Sequence, residues 1–365
     1  MRLPSYVASA PASGWRDQLQ RPVRSVFVHT ALADHTTMRL GGPATRFEVA
    51  ASTSELVSLV READSQQTPV LVIGGGSNLV VGDAGFDGLV VRTASCGISR
   101  TGNGLTVDVG VDWDTVVRHA LEDGLAGLEP LSGIPGSAGG TPVQNVGAYG
   151  TQTSQLLTGL TVYDRTAGEI QQWTPDQCKF GAHRYSIFKR NARYVILDVS
   201  FGLRHSDLSD PVRYPALAGR LGVRIGDPAR TTDVRAAVLE LRTERGMILD
   251  DGDHDTWSVG SFFVNPVVAT VPDKAADGPQ FPDPAGTKLS AAWLIEQAGF
   301  PRGYGSDYGR GTVTLSSKHT LAVTNRGGAT TAEVLSFAAH VRDGVAARFD
   351  VRLSPECDLI NCELG

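Results

Sequence analysis

The stretch "GSFFVNP" (260–266) sets one small hydroxyl, Ser261, against two aromatics, Phe262 and Phe263, and ends on an Asn-Pro turn signal. One reading is a strand that happens to begin with serine. The other is a hydroxyl held in a partly dry pocket, where it can give up a proton. Two other stretches favour close backbone approach over side-chain chemistry. "PVLVIGGGSNLVV" places Gly74, Gly75 and Gly76, then Ser77 and Asn78, directly after a short apolar run. "LSGIPGSAGGTPVQNVGAYG" (131–150) is the most glycine-dense stretch of the chain. Glycines in such loops let backbone N–H groups reach a phosphate and accept positive φ. Two of them, each following an α/β strand signal, bring a phosphate-bearing cofactor level with plain structural turns.

The common nucleotide motifs are absent. "GGGSNL" has Leu79 where G-x-G-x-x-G needs its last glycine, and no G-x-x-x-x-G-K-[ST] occurs. "SIFK" (186–189) fits S-x-x-K but lacks the companion S-D-N and K-T-G signatures. Asp250, Asp251, Asp253, His254 and Asp255 invite a metal reading. A calcium loop starting at Asp251 needs Gly at its sixth position and Glu at its twelfth, and Thr256 and Phe262 stand there. The run reads as a solvated loop, and no metal is expected.

The elements that position these residues follow from periodicity and caps. In the first third, strands are expected over 45–52, 69–73 and 87–92, with a helix over 53–66 capped by Thr53 or Ser54. Next come a strand over 105–110, a helix over 112–124 capped by Asp112 or Asp114, a hairpin over 157–173 turning at "RTAG", and a long strand over 192–204. A helix covers 231–245. The last third holds a strand at 261–264, a helix over 288–299, strands in "GTVTLS" and "LAVTN", a long helix over 330–349 and a closing strand "RLSPECDLI". The Pro/Asp/Gly-rich residues 271–287 read as a surface excursion.

The chain has 365 residues, enough for two or three domains and a large core. A net charge of −6 argues against a general nucleic-acid binder, though a local Arg/Lys cluster can still hold an anionic substrate. The four cysteines form no C-x-x-C pair and fit a reducing cytosol. No apolar run approaches membrane-helix length, and the first residues lack the apolar core of a signal peptide, so a flexible extension is expected there.

"GGGSN", "SGIPGSAGGTPVQNVGAYG", "SIFK", "GSFFVNP" and the terminal "SPE" occur in that order. Together they resemble the UDP-N-acetylenolpyruvoylglucosamine reductase family, from about residue 30 to the C-terminus. The resemblance implies an α+β architecture: a two-part FAD-binding module of the PCMH, vanillyl-alcohol-oxidase-like, type and a C-terminal α+β substrate-binding domain. The boundaries it suggests are an extension over 1–22, a first FAD subdomain over 23–93 and 352–365, a second over 94–247, and a substrate domain over 248–351. It assigns Gly74, Gly75, Gly76, Ser77, Asn78, Gly136, Gly139, Gly140, Thr141, Asn145, Gly147 and Ala148 to FAD. Neither loop contains His or Cys, so FAD is expected to be noncovalent.

The implied reaction is NADPH-dependent reduction of the enolpyruvyl ether of UDP-N-acetylglucosamine enolpyruvate to UDP-N-acetylmuramate, in peptidoglycan precursor synthesis. It needs a cation at the substrate carboxylate, a proton donor and a site closed to water. The resemblance places Arg184 at the carboxylate, Ser261 as proton donor and Glu356 as the catalytic carboxyl. His183 stands where relatives usually carry Tyr. Tyr214 matches a tyrosine on a loop that closes over the UDP part in one subclass, where the resemblance places this chain. Arg245, where relatives usually carry Lys, gives electrostatic support, and Asn265 and His319 are substrate-side or hydroxyl-orienting groups. The expected state is a cytoplasmic monomer with no nucleic-acid or membrane partner. Two other readings stay open: another FAD-dependent oxidase or dehydrogenase on the same cofactor fold, and a noncatalytic nucleotide-sugar binder. "GSFF" and "SPE" lie outside the FAD-binding half and speak against the first of these.

Overall fold

The computed structural model describes residues 30–181, 185–189 and 191–365. The expected extension over 1–22 lies outside them. Strands Ala44–Ala50, Phe86–Thr93 and Val70–Ile73 form a parallel sheet with Phe86–Thr93 in the middle. Their apolar runs suit a sheet covered on both faces. Helix Thr53–Ser65 covers it with Leu56, Val57, Val60 and Ala63. Its N-cap is Ser52, whose side chain accepts from Glu55 N–H, and not Thr53 or Ser54. The capping oxygen must precede the first helical turn, and Thr53 already belongs to it. A short strand, Leu79–Val81, pairs in parallel with Asp358–Ile360, so the chain's last strand returns to this first unit.

The second unit is a five-stranded antiparallel sheet in the order Glu169–Trp173, Leu157–Asp164, Tyr194–Gly202, Gly104–Asp108, Ile98–Thr101. Its hairpin turns where expected, with Asp164 opposite Glu169. Helix Trp113–Glu122 begins at Asp112, whose carboxylate takes the Thr115 N–H. One continuous core joins this sheet to helix Thr53–Ser65, with Trp113, Tyr163 and Phe201 at its centre. Helices Pro215–Leu221 and Thr231–Glu244 form a satellite core of their own.

In the last unit, helix Thr331–Phe349 packs on Ala291–Gln297 and on the hairpin Val313–Leu315/Val323–Asn325. The core here also takes Met38, Leu40 and Val80 from the start of the chain. Four expectations change. Residues 271–287 are partly ordered into a small sheet, Gln280–Asp283 against Gly286–Leu289 against Val267–Val268. The expected helix over 288–299 starts later, at Ala291, because Lys288 and Leu289 belong to that sheet and Ser290 is its cap. The strand expected at 261–264 is a single bridge, Phe263 to Pro355, and "RLSPECDLI" is a strand only over Asp358–Ile360. Pro355 and Pro266 lack the N–H groups a longer ladder would need.

Candidate active site

The first glycine loop runs from the end of strand Val70–Ile73 and lies directly on the second. A Cβ on Gly75 would sit 2.8 Å from Gly136 Cα, too close for any other residue. Ser77 Oγ donates to Pro135 O at 2.9 Å, and Thr37 N–H to Gly76 O at 3.2 Å, where Gly76 has φ +60°. The carbonyl of Asn78 accepts from Asp358 N–H. By contrast, no N–H of residues 74–78 donates to a backbone acceptor among the described residues. Unpaired amides in a glycine loop form a nest for an anion.

Amides 138–141 of the second loop find backbone acceptors, two outside the loop and two within it. Ala138 N–H donates to Val111 O, Gly139 to Val109 O, Gly140 to Ser137 O and Thr141 to Ala138 O. Thr141 Oγ1 also donates to Ala138 O. Asn145, at φ +42°, accepts the Ser154 N–H on its side-chain oxygen. Gly147 and Ala148 pair with Gln152 and Thr151. Gly140 differs: a Cβ there would meet nothing within 4 Å. At the base of this loop Glu129 is fully buried. One carboxyl oxygen accepts from Gly127 N–H at 2.6 Å, the other has no partner, and burial raises its pKa.

Two cavities meet at Gly74 and Ser137. The larger, about 1450 Å³, runs past Val70–Ile73, Gly139 and Gly140 to Phe188, Lys189 and Ser354. It exceeds the roughly 300–1,000 Å³ of ordinary small-molecule sites. The smaller, about 260 Å³, is lined by Gly75, Arg39, Arg92 and His35. An apolar groove, open space over Gly140 and unpaired amides at 74–78 fit a large cofactor with a diphosphate. His35 is stacked on Phe47, and Cys362 Sγ is bonded to Val80 O with its thiol pKa raised by burial. These are the only His and Cys lining either cavity among the described residues.

The segments that carry Ser261, His319 and Glu356 are joined through backbone bonds at Phe262. Its N–H donates to Leu321 O at 2.8 Å, and its carbonyl accepts from Glu356 N–H at 2.8 Å. Val264 N–H donates to Ser354 O. Ser261 is partly buried, while Phe262 and Phe263 are 0% and 1% exposed, their rings edge to face at 5.0 Å. His319 Nδ1 accepts from Leu321 N–H at 3.1 Å. Burial, then Arg245, Arg242 and Arg302, push its pKa down to about 4. The imidazole is therefore neutral at pH 7 and offers only an Nε2–H donor. Arg184 and His183 lie outside the described residues. Asn265 is exposed, and its side-chain oxygen accepts from Ala291 N–H at 2.9 Å at the start of a helix. With only a single bridge at Phe263, strand alternation does not set Ser261 and Asn265 on one face. The acidic run is absorbed in pairs. Asp253 meets Lys318, Asp255 meets Arg326 at 2.9 Å, and Asp251 meets Arg39. Among the described residues no cluster of three or more His, Cys, Asp or Glu could hold a metal ion.

Two groups beside Arg245 and Tyr214 were missed in the sequence. Arg242, three residues before Arg245 and so on the same helix face, donates to Met247 O at 2.6 Å, while its buried Nε has no partner. Burial pushes its pKa down to about 10. Tyr149 stands edge to face with Tyr214 at 5.3 Å, and burial raises its pKa. The spacing of "RTER" was the available signal for Arg242.

Residues 252–360 match the family described as UDP-N-acetylenolpyruvoylglucosamine reductase, C-terminal domain, and residues 45–174 match an FAD binding domain. The chain is 50% identical over 351 residues to the UDP-N-acetylenolpyruvoylglucosamine reductase of Thermobifida fusca, covering 91% of this chain and 97% of the relative. It is 48% identical to the protein of that name from Mycobacterium avium, covering 91% and 95%. The crystal structure of UDP-N-acetylenolpyruvylglucosamine reductase from Thermus caldophilus superposes with a TM-score of 0.64 at 23% identity, covering 91% of this chain and 97% of that one. The likeness extends to the fold: an α+β FAD-binding module followed by a C-terminal domain.

Proposed function

The chain belongs to the UDP-N-acetylenolpyruvoylglucosamine reductase family, and from that premise we propose how its residues divide the work. The protein is an oxidoreductase that uses NADPH and FAD to reduce the enolpyruvyl ether of UDP-N-acetylglucosamine enolpyruvate to UDP-N-acetylmuramate, in peptidoglycan precursor synthesis. Bound FAD would supply the hydride relay between NADPH and the enolpyruvyl group. The amides of residues 74–78 would hold its diphosphate and the groove beside Gly139 and Gly140 the rest, without a covalent link. The division into an extension (1–22), two FAD subdomains (23–93 with 352–365, and 94–247) and a substrate domain (248–351) belongs to this proposal. So does a cytoplasmic monomer. Among the described residues no helix is long and apolar enough to cross a membrane.

Charge develops on the substrate carboxylate as the double bond is reduced. Arg184 meets that charge with a fixed bidentate cation. Glu356 holds the same carboxylate through a shared proton. Ser261 gives its hydroxyl proton to the adjacent carbon. A serine is a poor acid, so it needs donors for the alkoxide it becomes. His319, able only to donate from Nε2, and the cationic Arg245 fill that role, while Phe262 and Phe263 limit water. Tyr214, Tyr149 and Arg242 stand on the UDP side. The reading rests on one observation: the backbone of Phe262 is bonded to both Leu321 and Glu356. The test is a pair of half-reactions. NADPH should bleach the flavin absorbance, and UDP-N-acetylglucosamine enolpyruvate should restore it without oxygen. A flavin reduced by NADPH but untouched by this substrate would refute the substrate assignment and leave the cofactor standing.

A further inference from the structure

The "SIFK" turn has no role in the chemistry above, yet it touches the catalytic segment. Ser186 Oγ donates to Val143 O in the second glycine loop. Ile187 N–H donates to Cys178 O and Lys189 N–H to Ser186 O, and buried Phe188 packs on Trp173 at 5.6 Å. The turn is therefore held on several sides. From it the Lys189 ammonium reaches across the larger cavity's wall and donates to the backbone carbonyl of Glu356 at 2.6 Å. On its other side Glu356 gives its N–H to Phe262. The bridge Phe263 to Pro355 is flanked by Glu356 N–H to Phe262 O and Val264 N–H to Ser354 O, while the Phe262 N–H turns away to Leu321 O. A charge-assisted bond such as that of Lys189 is short and directional.

We infer that Lys189 is a positioning residue for the reaction: clamped to the Glu356 carbonyl, it sets where the Glu356 carboxyl stands against the substrate. The inference rests on the catalytic reading of Glu356 above. Small displacements of a catalytic group cost roughly 10²-fold in rate. A contact that merely held the fold would affect all steps alike.

Lys189→Met keeps the stem and deletes the donor. The expected result is a fall of about 10²-fold in the maximal rate of flavin reoxidation by UDP-N-acetylglucosamine enolpyruvate. FAD content and flavin reduction by NADPH should stay within about twofold of the parent protein. Lys189→Arg, which restores a donor, should recover about tenfold of the loss. In a Glu356→Gln background, Lys189→Met should add less than about threefold, because both changes act on one group. Multiplicative losses in the double variant overturn the inference. So does a loss of FAD and thermal stability that Arg does not recover. If Glu356→Gln alone reoxidises at the parental rate, the catalytic reading of Glu356 falls and takes the inference with it, a failure recognised without any Lys189 variant.

Discussion

The cleft between the glycine loops and the junction at Phe262 use the backbone in opposite ways. In the cleft, the N–H groups of residues 74–78 have no backbone acceptors among the described residues, and the glycines there bring main chain against main chain. At the junction, backbone groups of Phe262, Val264, Leu321, Ser354 and Glu356 are bonded to one another, which leaves the proposed chemistry to the side chains. A diphosphate needs many donors and tolerates small shifts among them. A proton must leave one atom and arrive at another, so the segments bearing that atom are tied down.

If the two regions are separate in function, changes at the junction should slow chemistry and leave cofactor binding alone. Ser261→Ala is expected to show this most strongly. Reoxidation by substrate should slow by roughly 10²–10⁴-fold, while stopped-flow reduction by NADPH and FAD content stay unchanged. Equal loss in both half-reactions would sink the proton-donor role. Arg184→Lys should lower turnover by about 10²–10³-fold with FAD retained, and parental turnover would refute its assignment.

Changes in the cleft should do the reverse. In Gly75→Ala the new methyl meets the Gly136 backbone at 2.8 Å, so a loss of about 1–3 kcal/mol in unfolding free energy is expected. Gly140→Ala meets nothing. Its apoprotein should match the parent within ~0.5 kcal/mol, while FAD titration shows weaker binding. Unchanged FAD affinity would move the cofactor away from Gly140. The smallest effect is at Glu129, beneath the second loop. Its raised pKa means the folded state holds the proton more tightly than the unfolded chain. Its stabilising contribution is present in full below the ordinary value of 4.5 and is lost as pH rises toward the folded value. Relative to Glu129→Gln, the parent should lose up to about 1.4 kcal/mol per pH unit in that window. Parallel stability–pH curves for the two proteins would show that the fold leaves the Glu129 pKa unshifted.

Elements with a local cause were legible in the sequence. Asp112 caps its helix, and the hairpin turns at 165–168, because a cap and a turn depend on residues a few positions apart. Ser52 was passed over for its neighbours, since several hydroxyls in a row carry the same signal. The 261–264 strand was misjudged because its partner, 354–356, lies some ninety residues away and carries a proline. Arg242 was overlooked because its orphaned Nε is a fact about burial, which spacing alone does not reveal.

By itself, the sequence determined which chemistry the chain can do. The hydroxyl, guanidinium and carboxyl of Ser261, Arg184 and Glu356 and the two glycine loops are properties of residue type and order. Only the tertiary structure decided that, among the described residues, the amides of 74–78 lack backbone acceptors while those of 138–141 have them. It alone decided that Lys189 reaches the Glu356 carbonyl and that Phe262 bonds to both Glu356 and Leu321, whose N–H meets His319. The physical reason is that each of these depends on which acceptor a donor finds, and those partners lie up to 167 residues apart in the chain.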